Sequence, residues 1–563
     1  MKTFAIILIS IWISVQTVAQ VAPQKYFVEF MDKYNSPYSV TRPQEFLTSR
    51  AIERRQKQGI VIAENDIPVN QTYITALRRF NVGFLTESRW FNGVTIYCLN
   101  PAIIDSIRLL PFVKHVVKDV NIIKLKSYIP ANKYVLEEVL HEYGTPVAVP
   151  AQSCYNGNQS YNYGPSYKQI HMLRGDSLHK MGYRGQGKVI AILDAGFNHA
   201  DTLRAFDSLW ANNQILGTRD FVHPGNNVYK EYEHGMEVLS CMGANLPGEL
   251  IGTAPKASYW LLRSEDYYTE NLIEEYNWVA AAEFADSVGA DIINSSLGYT
   301  EFDDPTVNHT CADMNGNTTP SAKGANLACR KGMVVVNSAG NEGGSAWHCV
   351  STPSDAFGAL AIAAVDSNGI RAGFSSTGEA TGRIKPNVAA MGSAVIVSST
   401  IGLIMHSSGT SFSSPIIAGM AACLWQAAPD WSCNDISRAI EISSSKSMHP
   451  DSLLGYGIPD FVRALKAVRV PEYETQKQVV VYPNPFTDVF SVEVNVPAEQ
   501  EIDLVLYDQL GRIERYIRSY RAGAGTSKIS FPGMAAMKNG NYMLKVAGRD
   551  FVSNLSVVKM ATK

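Results

Sequence analysis

The chain has little excess charge and, after its first residues, no long apolar run. Its 563 residues carry a formal net charge of −3, and charged residues make up 18%. This balance gives no reason to propose a nucleic-acid partner. The apolar run at residues 4–15 is shorter than the about 20 residues that a bilayer-spanning helix needs. We therefore expect no transmembrane segment.

The first residues have the pattern of an export signal. One Lys precedes the apolar run, and Thr17 and Ala19 supply the small residues of a cleavage site. This pattern predicts a signal peptide over residues 1–19, with a buried N-terminal helix as the alternative. We expect a secreted, soluble protein that is released or attached to the outer cell surface.

The eight cysteines include no CxxC pair, which argues against a zinc ribbon. Export permits disulfides. Cys311, Cys329 and Cys349 lie in one polar region and are the expected bridge partners, with the connectivity left open. Cys241 and Cys423 lie in apolar helical patterns and are expected to be buried thiols.

Residues 20–152 predict a small α+β domain. Strand patterns alternate there with helical ones, and a polar stretch at 153–167 follows as a linker. The strand patterns are at 26–31, 93–99 and 113–120, and the helical ones at 69–80 and 101–110.

Residues 160–468 have the pattern of an α/β domain. Short, continuous apolar runs alternate with helical stretches, which is typical of a parallel sheet covered on both faces. The runs include "KVIAILDAG" (188–196), "ADIINSSLG" (290–298), "MVVVNSAGN" (333–341) and "ALAIAAV" (359–365), and the helical stretches include 235–244, 272–288 and 321–331.

The last segment is all β in pattern. A charged linker at 469–478 precedes it, and seven short strand patterns follow at intervals of about ten residues within 479–563. This predicts a small β-sandwich without an internal disulfide, because the segment has no cysteine.

Four polar residues of the α/β domain have the residue types needed for nucleophilic catalysis. Asp194 closes an apolar strand, at the sheet edge where ligands bind in such folds. His234 opens a helix, and His199 and His223 are its competitors. Each residue alone is as easily a cap, a turn or a core residue.

The other two polar residues lie in glycine-containing turns. Ser411 follows Gly-Thr at the start of a helix that is apolar nearly all round, where the first backbone N–H groups have no helical partner. Pro415 is expected in the first turn, and Ser413 and Ser414 are expected to bond backbone groups. Asn341 ends a strand in a Gly-rich turn, and its amide can donate to an oxyanion.

The order Asp, His, Asn and Ser carries more weight than any one residue. The segments "ILDAG", "HGMEVLS", "SAGNEG" and "GTSFSSP" resemble the motifs of subtilisin-like serine proteases. The resemblance covers residues 170–465 and includes "GTAPKASYWLLR" and "INSSLG".

The resemblance implies a role for each matching residue. Ser411 is the nucleophile, His234 the general base, and Asp194 the residue that orients the imidazole. Asn341 forms an oxyanion hole with the Ser411 N–H. Two departures are Ala195, where the family usually has Thr or Ser, and Met236, where it usually has Thr. The residues expected to line the cleft for peptide or protein substrates are Ser296, Leu297, Gly298, Ala339 and Gly340.

The flanking domains also show resemblances. Residues 20–152 resemble the inhibitory propeptide of these proteases, which implies an inactive precursor. The segment "VVYPNPF…LYDQLGR…NGNYMLKV" resembles the sorting domain of proteins exported by the type IX secretion machinery of Bacteroidetes. A carbohydrate- or substrate-binding sandwich is the alternative for that segment.

The expected function is that of a secreted serine endopeptidase. One alternative is an inactive adhesion or binding protein on the same scaffold. Another is a carboxyl-type relative, but it would have Glu in place of His234 and Asp in place of Asn341.

No cofactor is expected for the chemistry. A structural Ca²⁺ is a weaker expectation, resting on hard oxygen ligands in a polar loop that has no EF-hand spacing. These ligands are Asp303, Asp304, Asp313, Asn315 and Asn317, and a solvated insertion loop is the alternative.

Overall fold

The computed structural model describes residues 24–117, 162–467, 479–496, 498–508, 512–531, 533–549 and 552–560. The chain divides into two compact units, Met1–Ala467 and Val468–Lys563. The predicted signal peptide and the predicted linker at 469–478 lie outside the described residues. Within the described ranges, no helix is both long and apolar enough to cross a membrane.

The first unit begins with a four-stranded antiparallel sheet in the order β2-β3-β1-β4. All the strands and helices predicted here are present, but the sequence patterns missed α1 and β2. These elements are β1 (Lys25–Phe30), α1 (Ser49–Lys57), α2 (Gln71–Arg78), β2 (Gly83–Ser88), β3 (Gly93–Tyr97), α3 (Pro101–Arg108) and β4 (Val113–Val116). Their buried apolar residues form a core of their own.

The rest of the first unit is built on a seven-stranded sheet in the order β13-β12-β11-β10-β5-β9-β6. Every neighbouring pair is parallel, as predicted from the apolar runs. The strands are β5 (Val189–Asp194), β6 (Ile215–Asp220), β9 (Ser258–Arg263), β10 (Ile292–Ser295), β11 (Val334–Ser338), β12 (Leu360–Val365) and β13 (Val388–Met391). Two short antiparallel ribbons add β7 (Asn245–Leu246), β8 (Leu250–Ile251), β14 (Val395–Ser398) and β15 (Ile404–Ser407).

Helices surround this sheet. They are α4 (Tyr167–His171), α5 (Gly175–Lys180), α6 (Asp207–Ala211), α7 (His234–Gly243), α8 (Ile273–Ser287), α9 (Pro320–Arg330), α10 (Thr410–Ala427), α11 (Cys433–Ile442) and α12 (Phe461–Ala467). Helix α10 is buried from Thr410 to Trp425, as its apolar sequence predicts. The carboxyl ends of β5, β10 and β11 meet at one edge of the sheet because parallel strands share a direction.

The N-terminal domain (residues 24–117) docks on α8 through buried charges. Asp286 of α8 accepts hydrogen bonds from Arg54 at 2.5 Å, Arg55 at 2.6 Å and Arg89 at 2.8 Å. Arg55 also makes two 2.9 Å bonds to Asp66 of its own domain. All five side chains are buried. Guanidinium groups suit such a site because their planar donors match a carboxylate.

Glu283, one turn before Asp286, forms hydrogen bonds with residues 88–90. It accepts a hydrogen bond from the Ser88 hydroxyl at 2.5 Å, and others from the N–H groups of Arg89 at 2.7 Å and Trp90 at 3.1 Å. Burial raises the pKa of the Glu283 carboxyl to about 7, although these hydrogen bonds lower it.

The second unit is a sandwich of two antiparallel sheets, in the orders β16-β17-β20 and β19-β18-β21-β22. Its seven strands confirm the predicted all-β segment. They are β16 (Val479–Tyr482), β17 (Phe490–Val496), β18 (Gln500–Tyr507), β19 (Ile513–Ala522), β20 (Gly525–Phe531), β21 (Gly540–Ala547) and β22 (Val552–Lys559). Phe490, Val492 and Val494 alternate with half-buried neighbours and point into the shared core.

One disulfide joins Cys311 to Cys349, with an S–S distance of 2.05 Å. Cys329, the third expected bridge partner, is a free thiol. Cys241 and Cys423 are buried free thiols, as predicted. Cys154 lies outside the described residues.

Candidate active site

Asp194 and His234 are in contact at the carboxyl edge of the sheet. Asp194 is the last residue of β5 and His234 the first of α7, and Nδ1 of the imidazole lies 2.7 Å from Oδ1 of the carboxylate. The Ala195 N–H donates to the same Oδ1 at 2.8 Å. The side chains of Asp194 and His234 are buried, with 0% and 2% exposed respectively. This carboxylate therefore fixes the imidazole ring through Nδ1.

Gly235 allows this close approach. A Cβ at this position would lie 2.4 Å from the Gly196 carbonyl oxygen and 2.8 Å from the Asp194 Cβ. Any larger residue would push α7 away from the end of β5. The competing residues His199 and His223 are exposed.

Ser411 is the second residue of α10 and is 3% exposed. Its hydroxyl lies 3.4 Å from the Ser296 carbonyl oxygen, and the Ser296 hydroxyl donates to the Ser411 carbonyl oxygen at 2.8 Å. The backbone N–H of Ser411 belongs to the first helical turn, where such groups have no intrahelical acceptor.

Two expectations for this helix were wrong. Pro415 is its sixth residue and not in its first turn, because the helix begins at Thr410, before the proline. Ser413 donates to the Thr410 carbonyl oxygen as predicted. Ser414 instead donates to a side chain, Oδ1 of Asn294 at 3.0 Å, because α10 packs against β10.

The orientation of the Asn341 amide is fixed by Thr410. Oδ1 accepts from the Thr410 N–H at 2.8 Å and from its hydroxyl at 2.9 Å. The Gly340 N–H in turn donates to the same hydroxyl at 3.2 Å. Because the oxygen is held in this way, the NH₂ end of the amide points away from Thr410 and is the end that can donate to a ligand.

Asn341 and Ser411 line one cleft, whose empty space is about 480 Å³. Of the expected substrate-binding residues, Ser296, Gly298 and Gly340 also line it. Leu297 and Ala339 do not, and their side chains are buried, with 1% and 0% exposed. Any contact of these two residues with a substrate is therefore confined to the main chain.

The cleft also has acidic residues that the sequence analysis did not single out. Glu270, Glu301 and Glu342 line it together with Thr300 and Ser351. Glu342 directly follows Asn341, and Glu301 lies three residues after Gly298. Their closeness to two quoted motifs was a signal that could have identified them.

The polar loop considered for Ca²⁺ uses its carboxylates locally. Asp304 accepts from the Thr306 N–H, and Asp313 accepts from the Thr310 N–H and hydroxyl. The Asp303 carboxylate accepts from the Glu270 N–H at 3.2 Å. These contacts give each of the three carboxylates a hydrogen-bond partner within the protein.

Comparison with known proteins places this geometry in a family. Residues 185–457 match the model of the Subtilase family. Thermitase of Thermoactinomyces vulgaris is 30% identical over 269 residues, which cover 46% of this chain and 82% of thermitase. The chain is a subtilase. Subtilisin E of Bacillus subtilis (strain 168) is 28% identical over 323 residues, which cover 56% of the subtilase and 71% of subtilisin E.

The flanking segments of the subtilase match two further models. Residues 25–133 match the Peptidase S8 propeptide domain of Bacteroidota, and residues 480–559 match the Secretion system C-terminal sorting domain. The subtilase is thus a serine endopeptidase with a propeptide and a sorting domain, secreted or attached to the cell surface. These matches confirm both predicted flanking domains.

Among solved structures, MycP1 from the ESX-1 type VII secretion system is 20% identical, with a TM-score of 0.43. The likeness covers 57% of the subtilase and 90% of that chain. MycP3 from the ESX-3 system is 19% identical, with a TM-score of 0.41, over 56% and 90% of the two chains.

Proposed function

We propose that the subtilase hydrolyses peptide bonds with Ser411 as nucleophile, His234 as general base and then acid, and Asp194 as the residue that orients the imidazole. Asn341 and the Ser411 N–H form the oxyanion hole. The observation that carries this proposal is the buried 2.7 Å contact between His234 and Asp194 at the sheet edge.

The contact determines which imidazole nitrogen takes the proton. A carboxylate accepts and cannot donate, so the hydrogen of this bond lies on Nδ1. Nε2 then carries the lone pair that accepts the Ser411 proton as Oγ attacks the peptide carbonyl carbon. Asp194 stabilises the imidazolium that forms, and Nε2 returns the proton to the leaving amine. Water then hydrolyses the acyl-enzyme by the same route.

The oxyanion hole uses two donors from different segments. The NH₂ group of Asn341 comes from the turn after β11, and the Ser411 N–H from the first turn of α10. Thr410 links the two segments, because its N–H and hydroxyl hold the Asn341 oxygen. Such preorganised donors stabilise the negative charge that develops on the carbonyl oxygen.

The two departures from the family pattern leave this chemistry intact. Ala195 contributes its backbone N–H to Asp194, which needs no side chain. Met236 is fully buried in α7. An inactive binding protein is not favoured, because all four residues are present. No cofactor takes part in the proposed steps, and a Ca²⁺ ion would be structural.

The proposed partners follow from the same organisation. Peptide or protein substrates enter the cleft beside Ser411. The docked N-terminal domain keeps the precursor inactive and supports folding of the parallel sheet, whose non-local contacts form slowly. The sorting domain engages the type IX secretion machinery.

A fluorophosphonate reagent tests the nucleophile. It should label the mature enzyme at Ser411, and Ser411→Ala should abolish both labelling and peptide hydrolysis without a change in fold by circular dichroism. The matched control is Ser413→Ala, which removes a hydroxyl from the same helical turn and should keep most of the activity. Labelling that maps to Ser408 or Ser413 would contradict the assignment.

A further inference from the structure

We propose that the cleft beside Ser411 selects a lysine or arginine side chain at the residue that supplies the scissile carbonyl. Glu270, Glu301 and Glu342 would bind its positive charge. This inference rests on the proposed function, because the cleft is a substrate site only if Ser411 is the nucleophile.

The residues that line the cleft are the first observation. Three are the glutamates, and the others carry a hydroxyl, an amide or only a hydrogen as side chain. Neither a cationic nor an aliphatic nor an aromatic side chain is among these lining residues. Because apolar binding depends on apolar area removed from water, a leucine or phenylalanine side chain would gain little here.

The three glutamates come from separate parts of the chain. Glu270 precedes α8, Glu301 follows β10, and Glu342 follows β11. Two hydrogen bonds join the first two segments: the Asp303 N–H donates to the Glu270 carbonyl oxygen at 2.8 Å, and the Glu270 N–H donates to Asp303 Oδ2 at 3.2 Å. The tertiary fold therefore brings the three carboxylates to one cleft.

Glu342 is held next to the oxyanion residue. Its N–H donates to the Ser376 hydroxyl at 3.1 Å, and that hydroxyl donates back to its Oε2 at 2.9 Å. Glu342 also directly follows Asn341 in the chain. A side chain extending from the residue whose carbonyl oxygen binds Asn341 therefore enters a region with a positioned negative charge.

Two further acidic side chains lie close to Glu270. Oxygens of Glu265, Glu270 and Glu274 all lie within 4.8 Å of one another. Glu265 and Glu274 are buried beside Glu270. Charges of one sign around a cleft raise the local concentration of ligands of the opposite sign. An ammonium or guanidinium group fits this field, whereas an acidic side chain would be repelled.

The test is a set of fluorogenic peptides that differ only at the residue before the scissile bond, carrying Lys, Arg, Ala, Phe or Glu there. The mature enzyme should show the highest kcat/KM for Lys and Arg and the lowest for Glu. In Glu301→Gln and Glu342→Gln, kcat/KM for the Lys and Arg peptides should fall about tenfold, the lower range for loss of a charged hydrogen bond. The kcat/KM for the Ala peptide should fall much less.

Glu249→Gln is the matched control. Glu249 pairs with Arg204 and does not line the cleft, so this variant should keep the wild-type preference. A wild-type preference for Phe or Ala, or an equal loss for all peptides in the Gln variants, would overturn the inference while leaving the proposed function standing. Absence of both fluorophosphonate labelling and hydrolysis of every peptide would overturn the proposed function and the inference with it.

Discussion

The Ser296 hydroxyl donates to the main-chain carbonyl oxygen of Ser411 at 2.8 Å. In a regular helix the N–H of the residue four positions later would donate to this carbonyl, but that residue is Pro415, which has none. Ser296, which directly follows β10, supplies the missing donor. The hydrogen bond ties the strand that borders the cleft to the helical turn that carries the proposed nucleophile.

Ser296→Ala should therefore reduce turnover without removing a reacting atom. A hydrogen bond of this kind is worth about 1 kcal/mol, so we expect kcat to fall about fivefold and the melting temperature to drop by a few degrees. Ser296→Thr keeps the hydroxyl and should restore kcat. Steady-state kinetics of both variants check this. Equal kcat in the wild type and Ser296→Ala would show that the bond does not position Ser411.

Asn341→Leu should lower kcat and leave KM nearly unchanged, because the amide acts on charge that develops only in the transition state. The expected loss is roughly 10²–10³-fold, which we adopt from the comparable donor in subtilisin. A mutant that mainly raises KM would assign Asn341 to substrate binding.

Thr410→Val should also lower kcat, but by less than Asn341→Leu. It removes the hydroxyl that holds the Asn341 oxygen and leaves the backbone N–H in place. Measuring kcat and KM for both variants separates the positioning of the Asn341 amide by Thr410 from the hydrogen bond that the amide donates to the oxyanion. A loss as large as that of Asn341→Leu would mean that the hydroxyl does more than orient the amide.

The proposed catalytic residues could be predicted because each one marks a local pattern. Asp194 ends an apolar strand, His234 begins a helix and Ser411 follows a Gly-Thr turn, so neighbouring residues reveal their places. The same holds for the seven strands of the C-terminal sandwich, whose alternation is local.

Features that depend on distant parts of the chain could not be predicted. The bond from Ser296 to Ser411 spans 115 residues, and the contact of Arg55 with Asp286 spans 231. Helix α1 was missed because its mean hydropathy is low and it buries Arg54 and Arg55, which the carboxylates of Asp66 and Asp286 make favourable. Glu270 and Glu301 meet Glu342 only through tertiary packing.

Asp286→Ala should weaken the binding of the propeptide to the mature enzyme. The substitution leaves Arg54, Arg55 and Arg89 without their shared carboxylate, and breaking a buried ion pair costs about 3–5 kcal/mol. The inhibition constant of separately produced propeptide should rise roughly 10²-fold or more, with peptidase activity retained. Arg50→Ala is the control. Arg50 pairs with Asp291, but its own side chain is 40% exposed, so the loss of this ion pair should have a small effect. An equal effect of the two variants would contradict a dominant role for Asp286.

Propeptide inhibition should weaken as the pH rises toward 8. Burial under the docked domain raises the pKa of Glu283 to about 7. In the mature enzyme this face of α8 is uncovered, and the pKa returns toward about 4.3. Docking therefore takes up a proton at Glu283. The complex is most stable below the pKa of the uncovered carboxyl. This stability is lost as the pH rises through the pKa of the buried carboxyl, about 7, by up to about tenfold per pH unit.

Inhibition constants measured between pH 5 and 8 check this expectation. Glu283→Gln cannot ionise and should remove this part of the pH dependence. The same slope in the variant and the wild type would assign the effect to another group.

Maturation should cut the precursor after a lysine that lies before residue 134. If Ser411 cleaves its own chain and the cleft selects cations, the positions available between the described segments 24–117 and 162–467 are few. The segment 118–161 contains four cationic residues for such a cut, namely Lys118, Lys124, Lys126 and Lys133. The first directly follows Val117, whose N–H bonds the Phe27 carbonyl oxygen within the sheet, so we expect the cut after one of the other three. That boundary comes before residue 152, which linker composition alone suggested, and it agrees with a propeptide match that ends at residue 133.

Sequencing the N-terminus of the mature enzyme gives the position of this cut directly. Replacing Lys124, Lys126 and Lys133 together by Gln should accumulate the precursor, as Ser411→Ala should if processing is autocatalytic. Two results would contradict autoprocessing by a cleft that prefers cations. One is a mature N-terminus that follows a neutral residue, and the other is maturation of the triple Gln variant at the wild-type rate.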